Sequence, residues 1–220
     1  MNYTQLSNAI QAYTENTEAD FVTNIPVFVQ QAEERIFNSV QFPSLRSNVT
    51  GTTTTNNKYL QCPTDFLATY SLAVINASGE YEYLLNKDVN FIRQAYPQPT
   101  DTGIPRYYAL FGPRSDNAAE LTFILGPTPD SGYSSELHYY FYPPSISVAP
   151  YTSWLGDNFD TVLLYGSLVE AYTYMKGEQD IMAFYNAKYQ EALGLAKRLG
   201  DGLERGDAYR DGQTKIRVTT

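Results

Sequence analysis

Apolar positions along this chain change period twice, and the changes divide it into helical ends and a strand-rich middle. Thr4 to Tyr13 reads as a short helix, and Thr17, Glu18 and Asp20 mark the start of another. Pro26 fits the first turn of a longer helix, where its missing N–H is not needed. Ile25, Phe28, Val29, Ala32, Ile36 and Val40 then recur at helical spacing, with Gln30, Glu33, Glu34 and Arg35 on the opposite face. One buried stripe is implied.

After Phe42-Pro43 the text becomes threonine-rich, with period-two runs at Asn48 to Thr55, Lys58 to Gln61, Ala68 to Asn76 and Glu80 to Leu85. Lys87 to Tyr96 reads as a short helix ended by the Pro97–Gly103 breaker segment. Arg106 to Phe111, Glu120 to Leu125 and Ser135 to Tyr142 are further strands, joined by turns rich in Gly, Pro, Asn and Asp. An antiparallel sheet or small barrel is expected here.

Pro143 to Gly156 reads as a linker, and Asp157 as the cap of a helix running to about Lys176. A longer helix follows from Glu178 to Gly206, and the short connection at Gly177 predicts a helical hairpin. Ile181, Phe184, Tyr185, Ala192, Leu195 and Leu199 are its expected inward stripe, with Lys188, Glu191, Lys197 and Arg198 solvated. The fold class is therefore α+β: a bundle of N- and C-terminal helices with an inserted antiparallel β domain and an extended C-terminal arm. The expected boundaries are 1–45 for the N-terminal helices, 46–145 for the β domain, 146–206 for linker and hairpin, and 207–220 for the arm.

The arm is set apart by its content. Gly202, Gly206 and Gly212 punctuate its approach, and few apolar groups follow. Ordering such a segment costs about 1–2 kcal/mol per residue, more than the burial of Tyr209, Ile216 and Val218 returns. It therefore reads as a segment that docks on another chain, helped by the body's binding of the same partner, with an ordinary frayed terminus as the alternative.

Composition narrows the function. The chain has 220 residues, 20 of them Tyr, more than strand propensity requires and in keeping with contact surfaces. Its net charge of -9 disfavours tight nucleic-acid binding, though an acidic wall lets a duplex slide past. A single cysteine, Cys62, excludes an intramolecular disulfide and suits a reducing cytoplasm. No signal peptide or membrane span is read from the sequence.

Catalytic chemistry has little to stand on. His138 is the only histidine, in a strand of alternating Tyr and Phe, where a packed imidazole is the simpler reading than a general base. One Cys and one His make no zinc site. Asp157 and Asp160 are accounted for by helix capping, and no pair of carboxylates stands out for sugar hydrolysis. No phosphate-binding glycine motif occurs. Glu170 and Glu178 read as solvated. No catalytic residue, metal or cofactor is expected.

Leu60-Gln-Cys-Pro-Thr-Asp-Phe-Leu67 has the form of an apolar-Pro-x-Asp-Phe-Leu phrase leading into a strand, and the C-terminal hairpin ends in Tyr209-Arg-Asp-Gly. On these stretches and on its order of parts the chain resembles the head-to-tail adaptor proteins of tailed bacteriophages, the family that includes the tail tubular protein A of short-tailed phages. Cys62 stands where an aliphatic residue is more usual. The resemblance implies a structural virion protein in the neck between capsid and tail, made in the host bacterial cytoplasm. It implies a dodecameric ring of copies beneath the portal protein, with a downstream nozzle or tube protein at the other end and DNA only passing through. Carried onto this chain, the portal-binding arm has Tyr209 and Ile216 as apolar anchors and Arg210, Lys215 and Arg217 as pairing groups. The rival reading is a tail-associated glycan or receptor-binding module using Tyr107, Tyr108, Tyr139, Tyr140 and Trp154.

Overall fold

A computed structural model describes residues 1–112 and 120–210, with the side chains of the last helix described as far as Leu199. The chain forms two compact units: Met1–Leu45 together with the chain from Pro143 onward, and Arg46–Tyr142. The fold is α+β.

The helical unit contains α1 (Tyr3–Thr14), α2 (Ala19–Ser39), a 3-10 turn (Pro43–Leu45), α4 (Trp154–Asn158), α5 (Asp160–Tyr174) and α6 (Gln179–Arg210). Asn2 and Gln5 form a reciprocal capping box at the start of α1. α2 begins well before Pro26, which lies inside the helix and not in its first turn. Phe21, Ile25, Phe28, Val29, Ala32, Ile36 and Phe37 are all buried along it. That continuous apolar face outweighs the hydrogen bond the proline ring removes. Glu33, expected on the solvated face, is buried among these residues.

α5 is the hub, packed against α1, α2, α4 and α6. Val162, Leu163, Leu164, Leu168 and Ala171 are buried around it. At Gly166 the neighbours come so close that a Cβ would lie 3.2 Å from both Ala32 Cβ and Tyr189 Cε2, so a side chain there requires these neighbours on α2 and α6 to give by a few tenths of an ångström. The cap expected at Asp157 is not one: Asp157 lies within α4, whose cap is Ser153, its hydroxyl accepting from Gly156 N at 3.1 Å. The segment read as linker thus holds a helix of its own.

α6 also departs from expectation. Its buried positions are Tyr185, Tyr189, Ala192, Leu193 and Ala196, whereas Ile181, Phe184, Leu195 and Leu199 are exposed. The helix runs on through Gly206 to Arg210, so the first residues assigned to the arm are helical.

The β unit contains β1 (Arg46–Thr52), β2 (Tyr59–Gln61), β3 (Ala68–Ile75), β4 (Tyr81–Tyr83), β5 (Leu85–Asn86), α3 (Val89–Ala95), β6 (Tyr107–Phe111), β7 (Thr122–Gly126) and β8 (Ser134–Tyr140). Two four-stranded sheets form, in the orders β1-β8-β3-β4 and β2-β7-β6-β5. The run expected as one strand from Glu80 is broken at the buried Leu84, and its second piece, β5, pairs parallel to β6. The other pairs of named strands among the described residues are antiparallel. Inward residues of both sheets, including Leu72, Val74, Tyr108, Phe123, Leu125, Leu137 and Tyr139, share one core. α3 covers the outer face of the second sheet through Ile92, which packs on Ala109 and Ile124.

Candidate interaction surfaces

The phrase around Pro63 builds a corner of the β core. Phe66 N donates to Pro63 O at 3.1 Å, closing a turn, and Leu67 N then donates to Tyr140 O at 2.9 Å. The Phe66 ring stands edge-on to Phe123 and stacks on Tyr139, with centroids 5.5 and 6.0 Å apart. The Tyr139 hydroxyl donates to Asp65 Oδ1 at 3.0 Å. Burial raises the Tyr139 phenol above its ordinary pKa, with the Asp65 carboxylate adding to the shift against an opposing hydrogen bond from Ser47. Cys62 is buried, and desolvation pushes its thiol up to about 12. Although Cys62 and Glu120 line one surface depression, a thiol so disposed holds almost no thiolate near neutrality and is not an activated nucleophile. It acts as a small apolar side chain in the place an aliphatic one would take.

The outer face of the first sheet presents a different chemistry. A register shift between Thr69 and Ser71 leaves Tyr70 as an extra residue on β3, and its side chain is 58% exposed. The Arg46 guanidinium lies 5.0 Å from the centroid of Tyr70 and 5.7 Å from that of Tyr140. His138 stands between Ser71 and Glu136, with Nδ1 3.3 Å from the Ser71 hydroxyl and Nε2 3.4 Å from Glu136 Oε1. A hydrogen bond to Glu136 raises the Tyr81 phenol above its ordinary pKa, and Tyr81 stacks on the exposed Tyr83. Of the tyrosines singled out in the sequence, Tyr108 and Tyr139 are core residues, and Tyr140 alone belongs to this face. Tyr107 packs with Phe91 of α3, and Trp154 with Phe42 and Phe159 in the helical unit. Tyr70, Tyr81 and Tyr83 were missed. The two on β4 carry a signal in their i, i+2 spacing, while Tyr70 depends on the bulge and has none.

Within the helical unit, Glu33 Oε1 accepts from Ile146 N at 3.0 Å. Burial raises its pKa, opposed by hydrogen bonds from Ser145 and Ile146. Arg35 and Glu170, both read as solvated, form an ion pair between α2 and α5, and the Arg35 guanidinium lies 6.0 Å from the centroid of Tyr189 on α6. These charges fasten the bundle. Among the described residues no cluster of His, Cys, Asp and Glu is arranged to hold a metal ion.

Of the residues proposed for the arm, Tyr209 and Arg210 fall in the last turn of α6. Lys215, Ile216 and Arg217 lie outside the described residues. The helical unit thus presents a long helix with an apolar outer stripe, and the β unit a tyrosine face on one sheet. The family model of the SU10 adaptor protein matches residues 1–215.

The chain belongs to the SU10 adaptor protein family. No curated protein sequence matches it. The SU10 adaptor assignment makes it a bacteriophage adaptor, a structural component of the virion, and extends across both units and into the segment beyond α6. No helix among the described residues is long and apolar enough to cross a membrane.

Proposed function

We propose that this adaptor forms a dodecameric ring that joins the capsid portal to the downstream tail protein and lines the channel through which DNA passes. The observation that carries the reading is the family match over residues 1–215, which includes the hairpin and the first five residues after α6. In this reading the segment beyond α6 is the portal-binding arm, with Ile216 as apolar anchor and Lys215 and Arg217 as pairing groups. Tyr209 and Arg210 supply the helical base from which it starts. α6 spans about 48 Å at about 1.5 Å per residue, long enough to present the arm well away from the hairpin turn. The net charge of -9 suits a lining that does not hold the duplex.

Electron microscopy of the purified chain mixed with portal rings tests the proposal. An added ring of twelve copies coaxial with the portal is the expected result, and portal rings that remain bare contradict it. The face formed by the exposed Tyr70 and Tyr81 with the half-buried Arg46 and Tyr140 favours a second reading, a glycan or receptor-binding surface, because Tyr and Arg are the residues on which such contacts concentrate. Binding on a glycan array without association with portal rings would select it.

A further inference from the structure

The outer face of α6 is patterned for a contact that the chain alone does not make. Ile181, Phe184, Lys188, Glu191, Leu195 and Leu199 recur at intervals of three and four residues, the seam of a two-helix packing. Phe184 is 56% exposed, Leu195 61% and Leu199 53%. The helix's own bundle contacts run along the adjoining face through Tyr185, Tyr189, Ala192 and Ala196. On the flank, a Cβ on Gly194 would meet nothing within 4 Å, so a second helix has room to approach.

The order of these residues selects the occupant. Lys188 and Glu191 form an ion pair at 3.1 Å in the middle of the seam, with Phe184 before it and Leu195 after it. Reversing the helix and laying it on itself about that midpoint sets Phe184 opposite Leu195, Lys188 opposite Glu191 and Ile181 opposite the turn that carries Leu199. The same reversal brings Asp180 near Arg198, both exposed. A parallel arrangement would instead face Lys188 with Lys188 and Glu191 with Glu191. We infer that two free copies of this chain pair antiparallel along α6, through this seam and about a two-fold axis at the Lys188–Glu191 pair.

The seam covers about 27 Å of helix at about 1.5 Å per residue. A single helix pair of that length buries less than the roughly 800 Å² per partner of a standard stable interface. The dissociation constant is therefore micromolar, and the pair is one that a tighter partner displaces. Pairing about a two-fold closes at two copies, so it is a state of the free chain and distinct from a ring, which joins unlike faces. It stands independently of the virion reading, since docking on a portal can succeed or fail whatever the free chain does.

The test is sedimentation of the full chain over a concentration series from about 1 to about 500 µM, bracketing micromolar association. Wild type is expected to pass from monomer to dimer. Leu195→Glu, at an exposed position, is expected to raise the dissociation constant at least tenfold with unchanged helical circular dichroism. Lys188→Glu and Glu191→Lys should each weaken self-pairing, because each sets like charges across the axis. Mixed together they should restore a dimer, because a copy with two acidic side chains at the centre of the seam then faces a copy with two basic ones; fluorescent labelling of one variant identifies that mixed species. A wild type that stays monomeric throughout, one that forms closed higher oligomers in place of a dimer, a dimer indifferent to Leu195→Glu, or two charge variants that fail to combine on mixing would each overturn the inference.

Discussion

Glu33 bears a cost that its partners offset only in part. Its Oε1 holds Ile146 N, but Oε2 is buried without a hydrogen-bond partner among the described residues. Because burial raises its folded-state pKa, the stabilisation tied to its proton is complete below the unfolded-state pKa and is lost as pH rises through the folded value. Glu33→Gln keeps a carbonyl for Ile146 N and removes the charge, so it should be more stable than wild type at pH 7. That advantage should shrink as pH falls through the carboxylate range. Glu33→Ala leaves the Ile146 amide unpaired and should cost about 1–3 kcal/mol. Urea denaturation of both variants from pH 4 to pH 8 checks the pair of signs, and an advantage of the Gln variant that is independent of pH would contradict the account. Nothing in the sequence flagged this residue: Glu33 sits beside Glu34 and Arg35 in a polar run, and only the return of the chain at Ser145 and Ile146 buries it. Cys62 was easier to place, since the apolar-Pro-x-Asp-Phe-Leu phrase calls for a buried side chain at its position.

At the scale of elements, the helices were legible where burial follows hydrophobicity and illegible where it follows shape. The α2 stripe from Ile25 to Ile36 is the one its spacing dictates. The α6 stripe is so only in part: Tyr185 and Ala192 are buried as the spacing requires, whereas Ile181, Phe184, Leu195 and Leu199 are exposed. Tyr185, Tyr189, Ala192, Leu193 and Ala196 fill the inside, with the Tyr189 ring against Gly166 of α5. Strand positions were readable from period-two runs, whereas the break at Leu84 and the bulge at Tyr70 come from pairing partners distant in sequence. Pro26 misplaced the start of α2 because its usual preference for a first turn yields to the buried face on either side of it. Proline in a helix interior costs up to about 3 kcal/mol relative to alanine. Pro26→Ala should therefore raise the melting temperature, and thermal denaturation showing a lower one would mean that the ring fills a shape the helix requires.

For the whole molecule, the order of parts matters more than any single motif. The helical unit is assembled from the two ends of the chain, with the β unit between them as a continuous stretch. Every residue of the main β core, from Cys62 to Tyr139, belongs to that stretch. A fragment spanning 46–142 should consequently fold alone, with dispersed amide resonances and a cooperative unfolding transition; a fragment without either would show that the β core needs the helices. The arrangement, together with the hairpin and the Tyr209-Arg-Asp-Gly ending, is what made the adaptor family recognisable from sequence. The residues proposed to touch the portal were named only through that likeness.

The central claim is that the segment after α6 attaches the adaptor to the portal. Since the helix reaches Arg210, a chain ended there removes Lys215, Ile216 and Arg217 while leaving the last turn whole. Co-sedimentation of this truncated chain with purified portal rings is the most direct measurement. The account predicts a chain with the melting temperature of the full protein that no longer sediments with the rings, and a truncated chain that binds the rings as the full protein does would contradict it.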